Sequence, residues 1–237
     1  MDKFLLYNFM RRAMCDVPAV IPLLSNKARF YMYQPATYKT YDYMLKQIER
    51  LVKGVYSGNI GGQFIDTMAN LISGQLTQAY EQAWTDEEGE GDIPDYLSSS
   101  LETAILGQYD FVDQYYKDIV DAKVDKTPID PLLFRAKLWA QRWTESYNEA
   151  VRLIVLDSGG NMIWTLGATE AHCPECAAFN GKVARAKEWD TLGIRPQNAP
   201  NKKLTCGGWQ CDCSLTPTDQ RRTAGAYGKL EAILMGI

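Results

Sequence analysis

Asp157-Ser158-Gly159-Gly160-Asn161-Met162-Ile163-Trp164 is the stretch at which the texture of the chain changes. Before it, apolar residues recur every three or four positions, the spacing that aligns side chains on one face of an α-helix. At Ser158-Gly159-Gly160 that period stops, as expected of glycines placed at a helix C-terminus. Met162-Ile163-Trp164 then reads as a short strand, and turn residues multiply beyond it. The reading is a mainly α protein with long helices in a body over residues 1–158. A small, irregular α+β, Cys-rich module over 159–217 and a C-terminal helix over 218–237 follow.

Working back from the break, the stripe Leu132, Ala136, Trp139, Trp143, Tyr147, Ala150, Val151, Ile154 and Val155 marks one helix. Asp130 is its expected cap and Pro131 its first helical residue. A helix opening after Pro94 carries Leu97, Leu101, Ile105, Tyr109, Val112, Tyr116, Ile119 and Val120. Another, over about 62–84, carries Phe64, Met68, Leu71, Ile72, Leu76, Ala79 and Tyr80, and a fourth over 37–58 has Thr37 as its expected cap. Between them, 86–92 is an acidic loop without the ligand order of a calcium-binding hand. Residues 1–36, with Pro18, Pro22, Pro35 and a run of aromatics from Phe30, read as an arm suited to binding a partner.

The chain has 237 residues, 46% hydrophobic and 23% charged, with a net charge of −4. Such a composition excludes wholesale disorder and argues against broad nucleic-acid binding, which needs a basic surface. Near the N-terminus Arg11-Arg12 follow the apolar stretch, the reverse of a secretory leader, and no apolar run reaches the roughly 18 residues of a membrane helix. The expectation is a chain neither secreted nor membrane-spanning.

Six cysteines are present, and five of them, Cys173, Cys176, Cys206, Cys211 and Cys213, crowd into the module, leaving Cys15 apart. Cys173-Pro174-Glu175-Cys176 has the two-residue spacer that aims two thiolates at one point. Cys211 and Cys213 share a face of an extended strand, and Gly207-Gly208 would turn the chain between Cys206 and Cys211. Zinc in a structural site takes four ligands. Cys173, Cys176, Cys211 and Cys213 are the first choice, with Cys206 as the substitute. Free thiols, disulfides and an iron–sulfur cluster are the competing readings, the last without ferredoxin-type spacing. Four thiolates would close the site, and a deaminase-type His-x-Glu is missing ahead of Cys173. The centre therefore reads as structural, with no catalytic residue and His172 as a turn residue.

The module resembles the C-terminal domain of the phage head morphogenesis, or minor head protein, family (the phage Mu F-like group). The resemblance runs in order through Trp164, Gly167 to Cys176, Asn180-Gly181-Lys182-Val183, Glu188-Trp189, Gly193-Ile194-Arg195-Pro196 and Leu204 to Cys213. Relatives often carry a His three residues before the final C-x-C, where this chain has Gly208 with Cys206 nearby. The ligands are thus four of the five clustered cysteines. What the resemblance implies is a virion structural protein, made in the host cytoplasm. It would meet the portal or the major capsid protein, or its own copies at the portal vertex, during head assembly, DNA packaging or genome delivery. Packaged DNA is a partner that the net charge disfavours. The alternatives are a zinc-dependent hydrolase or nuclease accessory, using His172 or Glu175, and a zinc-ribbon DNA-binding protein.

Overall fold

The computed structural model describes residues 41–88, 91–168, 171–197, 201–208 and 213–236. Among these are seven helices and a three-stranded sheet. Four long helices form the body: α1 (Tyr41–Ser57), α2 (Gln63–Glu88), α3 (Asp95–Val124) and α4 (Asp130–Ser158). The remainder consists of β1 (Asn161–Thr165), α5 (Pro174–Phe179), β2 (Val183–Arg185), α6 (Ala186–Thr191), β3 (Ser214–Pro217) and α7 (Ala226–Met235). The protein is mainly helical with a small sheet, as the loss of periodicity after Gly160 implied. The proposed arm over 1–36, the Thr37 cap and Cys15 lie outside the described residues.

The body is held by the stripes themselves. Met44, Ile48, Val52, Phe64, Met68, Leu97, Tyr115, Ile119 and Ala136 are essentially removed from solvent. Burial of apolar area at about 25 cal/mol per Å² is the main favourable term for such a core. Helix α4 packs on α2 and on α1, while α3 covers α2. Three local details differ from the sequence expectation. Asp130 lies inside the first turn of α4, and Ile129 is the cap residue. Helix α2 continues through Asp86 and Glu88, so the first three residues of the expected acidic loop are helical. Trp143 is only half-buried. It stacks on Tyr147 at 5.2 Å, and the Tyr147 hydroxyl donates to Asp86 Oδ2 at 2.9 Å. Gly159 caps α4 in the left-handed conformation, φ 70°, as a helix-ending glycine does.

Beyond the cap the chain turns into an antiparallel sheet of order β2-β1-β3. Met162 pairs with Ala184 and Pro217, and Trp164 with Leu215. Along β1 burial alternates, so Met162 and Trp164 share the covered face. Asn180-Gly181 makes the turn into β2, with φ −51° and ψ 128° at Asn180 and φ +71° at Gly181, the positive value that favours glycine. Helix α7 starts eight residues later than expected. The intervening chain is used differently: Thr223 N–H donates to Val183 O at 2.9 Å, and Val183 N–H donates to Thr223 Oγ1 at 3.0 Å.

Within the module, Trp164, Phe179 and Trp189 form a fully buried aromatic cluster with centroids 5.2–5.8 Å apart. Trp189 Nε1 donates to Met162 O at 3.2 Å. This cluster is contiguous with the core of the body, and β3 and α6 both pack against α4.

Ion pairs reinforce that junction. Arg152 on α4 is 9% exposed. It donates through Nε and Nη2 to Glu149 at 2.8 and 2.6 Å, and through Nη1 to Asp190 of α6 at 2.7 Å. Arg195 donates to the same Asp190 oxygen at 2.6 Å. Arg152→Ala is expected to lower stability by about 2 kcal/mol, because charge-assisted hydrogen bonds contribute about 1.5–3 kcal/mol and both carboxylates keep some access to water. A lower urea midpoint at unchanged slope would register it, whereas an unchanged midpoint would show the junction to be held by apolar contacts alone.

Candidate metal centre

Cys173-Pro174-Glu175-Cys176 sits at the start of α5. Cys173 is the extended cap residue, φ −66° and ψ 156°, and Pro174 opens the helix, where its lack of an N–H costs no hydrogen bond. Cys173 O accepts from Ala177 N–H at 3.0 Å. The two-residue spacer thus becomes a single helical turn. It leaves Cys173 half-buried and puts Cys176, 1% exposed, among the apolar side chains of the module.

The opposite side comes from the loop 201–208. Its backbone folds back on itself through Asn201 N–H to Gly207 O, Gly207 N–H to Leu204 O and Leu204 N–H to Asn201 O, at 2.8, 2.8 and 3.3 Å. The Asn201 side chain ties this loop to the preceding one. Its Nδ2 donates to Gly193 O and Arg195 O, and its Oδ1 accepts from Lys203 N–H. Gly207 and Gly208 have φ of 63° and 77°, conformations that side-chain-bearing residues adopt only under strain. The loop presents Cys206 to the helix.

The Sγ atoms of Cys173, Cys176 and Cys206 all lie within 4.8 Å of one another. Four sulfurs about 2.3 Å from a tetrahedral ion would be about 3.8 Å apart. Three thiols at this separation could hold one metal ion. Among the described residues the cysteines are not joined in disulfides. Cys206 thus stands with the C-x-x-C pair, a place the sequence argument had given first to Cys211 and Cys213. Cys213 is fully buried just ahead of β3, its Sγ 3.7 Å from His172 Nδ1. His172 therefore stands beside a thiol, not in an unconstrained turn. Cys211 lies outside the described residues.

Glu175, between the paired cysteines, reaches across to the Cys206 loop. Its Oε2 accepts from Thr205 N–H at 3.1 Å, and its Oε1 accepts from the Thr205 hydroxyl at 2.8 Å. Burial would push this carboxyl up. The hydrogen bonds from Thr205, its own N–H and the Cys173 side chain outweigh that effect and hold it below the usual range. Asn201 was not singled out by the sequence, and Thr205 stood there only as one residue of the run Leu204 to Cys213, with no role. Short polar residues in a Lys-rich, Pro-flanked segment carry no spacing signal, and only the folded loop gives them a task.

A cleft lies elsewhere, at the junction of α2, α3, α4 and the 195–197 turn. Its volume is about 520 Å³, and it contains Arg142, Glu145, Glu149, Arg152 and Arg195. These charges are paired within the protein: Arg142 with Glu145, and Arg152 and Arg195 with Glu149 and Asp190. No helix among the described residues is long and apolar enough to cross a membrane. Comparisons with protein-family models, with curated proteins and with solved structures returned no match.

Proposed function

We propose that the chain is a non-enzymatic phage virion protein of the minor head type, whose Cys-rich region is built around structural zinc. The observation that carries the reading is the position of the residues behind the resemblance. Trp164, Trp189 and Val183 are core residues of the module, Gly181 is its turn, and Cys173, Cys176 and Cys206 are its thiol cluster. A sequence pattern that supplies several core residues of the module together with its metal-type ligands is more specific than a C-x-x-C alone. Thiolates favour zinc over hard cations, and a fourth protein ligand beside the three clustered thiols would close the site, supply folding energy and leave no open position for a substrate. The two candidate acid–base groups are engaged structurally, Glu175 with Thr205 and His172 beside Cys213. The helical body would provide the surface for the portal or the major capsid protein.

Mass spectrometry of purified, genome-filled particles tests this reading. The protein is expected among the virion components, and elemental analysis of protein purified without added metal should give close to one zinc per chain. Absence from such particles would sink the virion assignment. Turnover of nucleic acid or peptide by the metal-loaded protein, abolished by Glu175→Gln, would favour the hydrolase reading instead.

A further inference from the structure

We infer that Glu175 is a positioning residue for the metal centre. Its carboxylate fastens the Cys206 loop to the C-x-x-C turn and so sets the affinity of the site. The inference rests on the structural-zinc reading and adds a regulator of affinity that is not itself a ligand.

The geometry argues for it in three steps. First, the two halves of the cluster are far apart in sequence: Cys173 and Cys176 belong to α5, and Cys206 to a loop thirty residues on. Bringing Cys206 within 4.8 Å of both other thiols requires some contact that holds the loop against the helix. Secondly, the two-point grip of Glu175 on Thr205, the residue immediately before Cys206, ties these halves directly. Two acceptor oxygens on one backbone N–H and one hydroxyl fix the direction of the chain as well as its distance. Thirdly, Glu175 is placed for this by the knuckle itself. It lies between the two cysteines, so a single helical turn delivers both thiols and the clamp. Partners that orient ligands without touching the metal commonly change metal affinity by about 10- to 100-fold when removed.

The carboxylate charge is not the useful property. A negative charge beside several thiolates repels them, so an uncharged acceptor of the same length should serve as well. This separates positioning from electrostatics. Glu175→Gln keeps an oxygen for Thr205 N–H and an amide able to donate to the Thr205 hydroxyl. Glu175→Ala keeps neither.

The test is a competition titration of the full-length protein with zinc and a chromophoric chelator, together with the visible spectrum of the cobalt-substituted form. Glu175→Ala is expected to weaken zinc binding about 10- to 100-fold while keeping the intense bands of a tetrahedral, thiolate-bound cobalt ion. Glu175→Gln should stay within about threefold of the unaltered protein. Thr205→Val removes only the hydroxyl. It should weaken binding by itself, yet add little in the Glu175→Ala background, because both changes break one contact. Equal affinity of Glu175→Ala and the unaltered protein overturns the inference, as does full additivity of the two changes. A Glu175→Gln protein as weak as Glu175→Ala overturns the positioning argument specifically. If Glu175→Ala fails to fold, Thr205→Val with unchanged affinity overturns the inference on its own. Failure of the unaltered protein to bind zinc overturns the underlying reading, whereas zinc binding that is indifferent to Glu175 and Thr205 leaves that reading standing and removes only the inference.

Discussion

Cys173→Ser is expected to reduce the zinc content from about one per chain to nearly none. Cys206→Ser should do the same, because its thiol lies with those of Cys173 and Cys176. Structural zinc contributes about 10–16 kcal/mol of apparent binding free energy in small zinc-dependent units, and that free energy is available to folding only while the ligands are intact. The expected structural loss is centred on α5 and the 201–208 loop. The helical body should keep most of its circular dichroism, since its stripes are buried against one another. Cys15→Ser should leave zinc unchanged. Cys213→Ser decides the fourth position. Loss of zinc would put Cys213 in the tetrahedron with the three clustered thiols, and retention would leave Cys211 or His172 to fill it. A Cys206→Ser protein with full zinc content would restore the set read first from the sequence, Cys173, Cys176, Cys211 and Cys213. Zinc-free protein with intact disulfides would overturn the metal assignment altogether.

Trp164→Ala should be the most damaging single change outside the cysteines. Trp164 is fully buried and touches both Phe179 and Trp189, and truncating such a residue costs about 3–5 kcal/mol. For a domain of ordinary marginal stability that is a large fraction of the total. The more informative readout is which signal moves. Because β3 and α6 pack on α4 and the buried side chains are contiguous, the helical unfolding transition itself should shift to lower urea. A helical transition that stays in place, with only tryptophan fluorescence altered, would show that the helical body is stable without the module.

Much of the fold was legible because long amphipathic helices announce themselves locally. Ile48, Val52 and Val55, or Leu97, Leu101 and Val112, are each placed by a 3.6-residue period that depends on no distant partner. The same holds for the end of α4 at Gly159 and the turn at Gly181, where a positive φ is the local demand. The C-x-x-C pair was legible for the same reason, since one helical turn joins its thiols. The late start of α7 was not, because Thr223 is diverted to Val183 by contacts forty residues apart. Nor was the aromatic core of the module. Trp164, Phe179 and Trp189 are scattered over short elements too brief to show a period, and they meet only when the sheet and two short helices assemble.

The candidate centre divides along the same line. The sequence by itself determined that this protein has a helical body, a break at Gly159-Gly160 and a crowd of thiols sufficient for a metal. Local spacing and composition carry each of these. Only the tertiary structure decided that Cys206 joins Cys173 and Cys176, that Glu175 grips Thr205, and that Arg152 binds Asp190 across the junction. Those pairings depend on how loops close and on which groups are withdrawn from water. Such properties belong to the packed chain and leave no periodic trace along it.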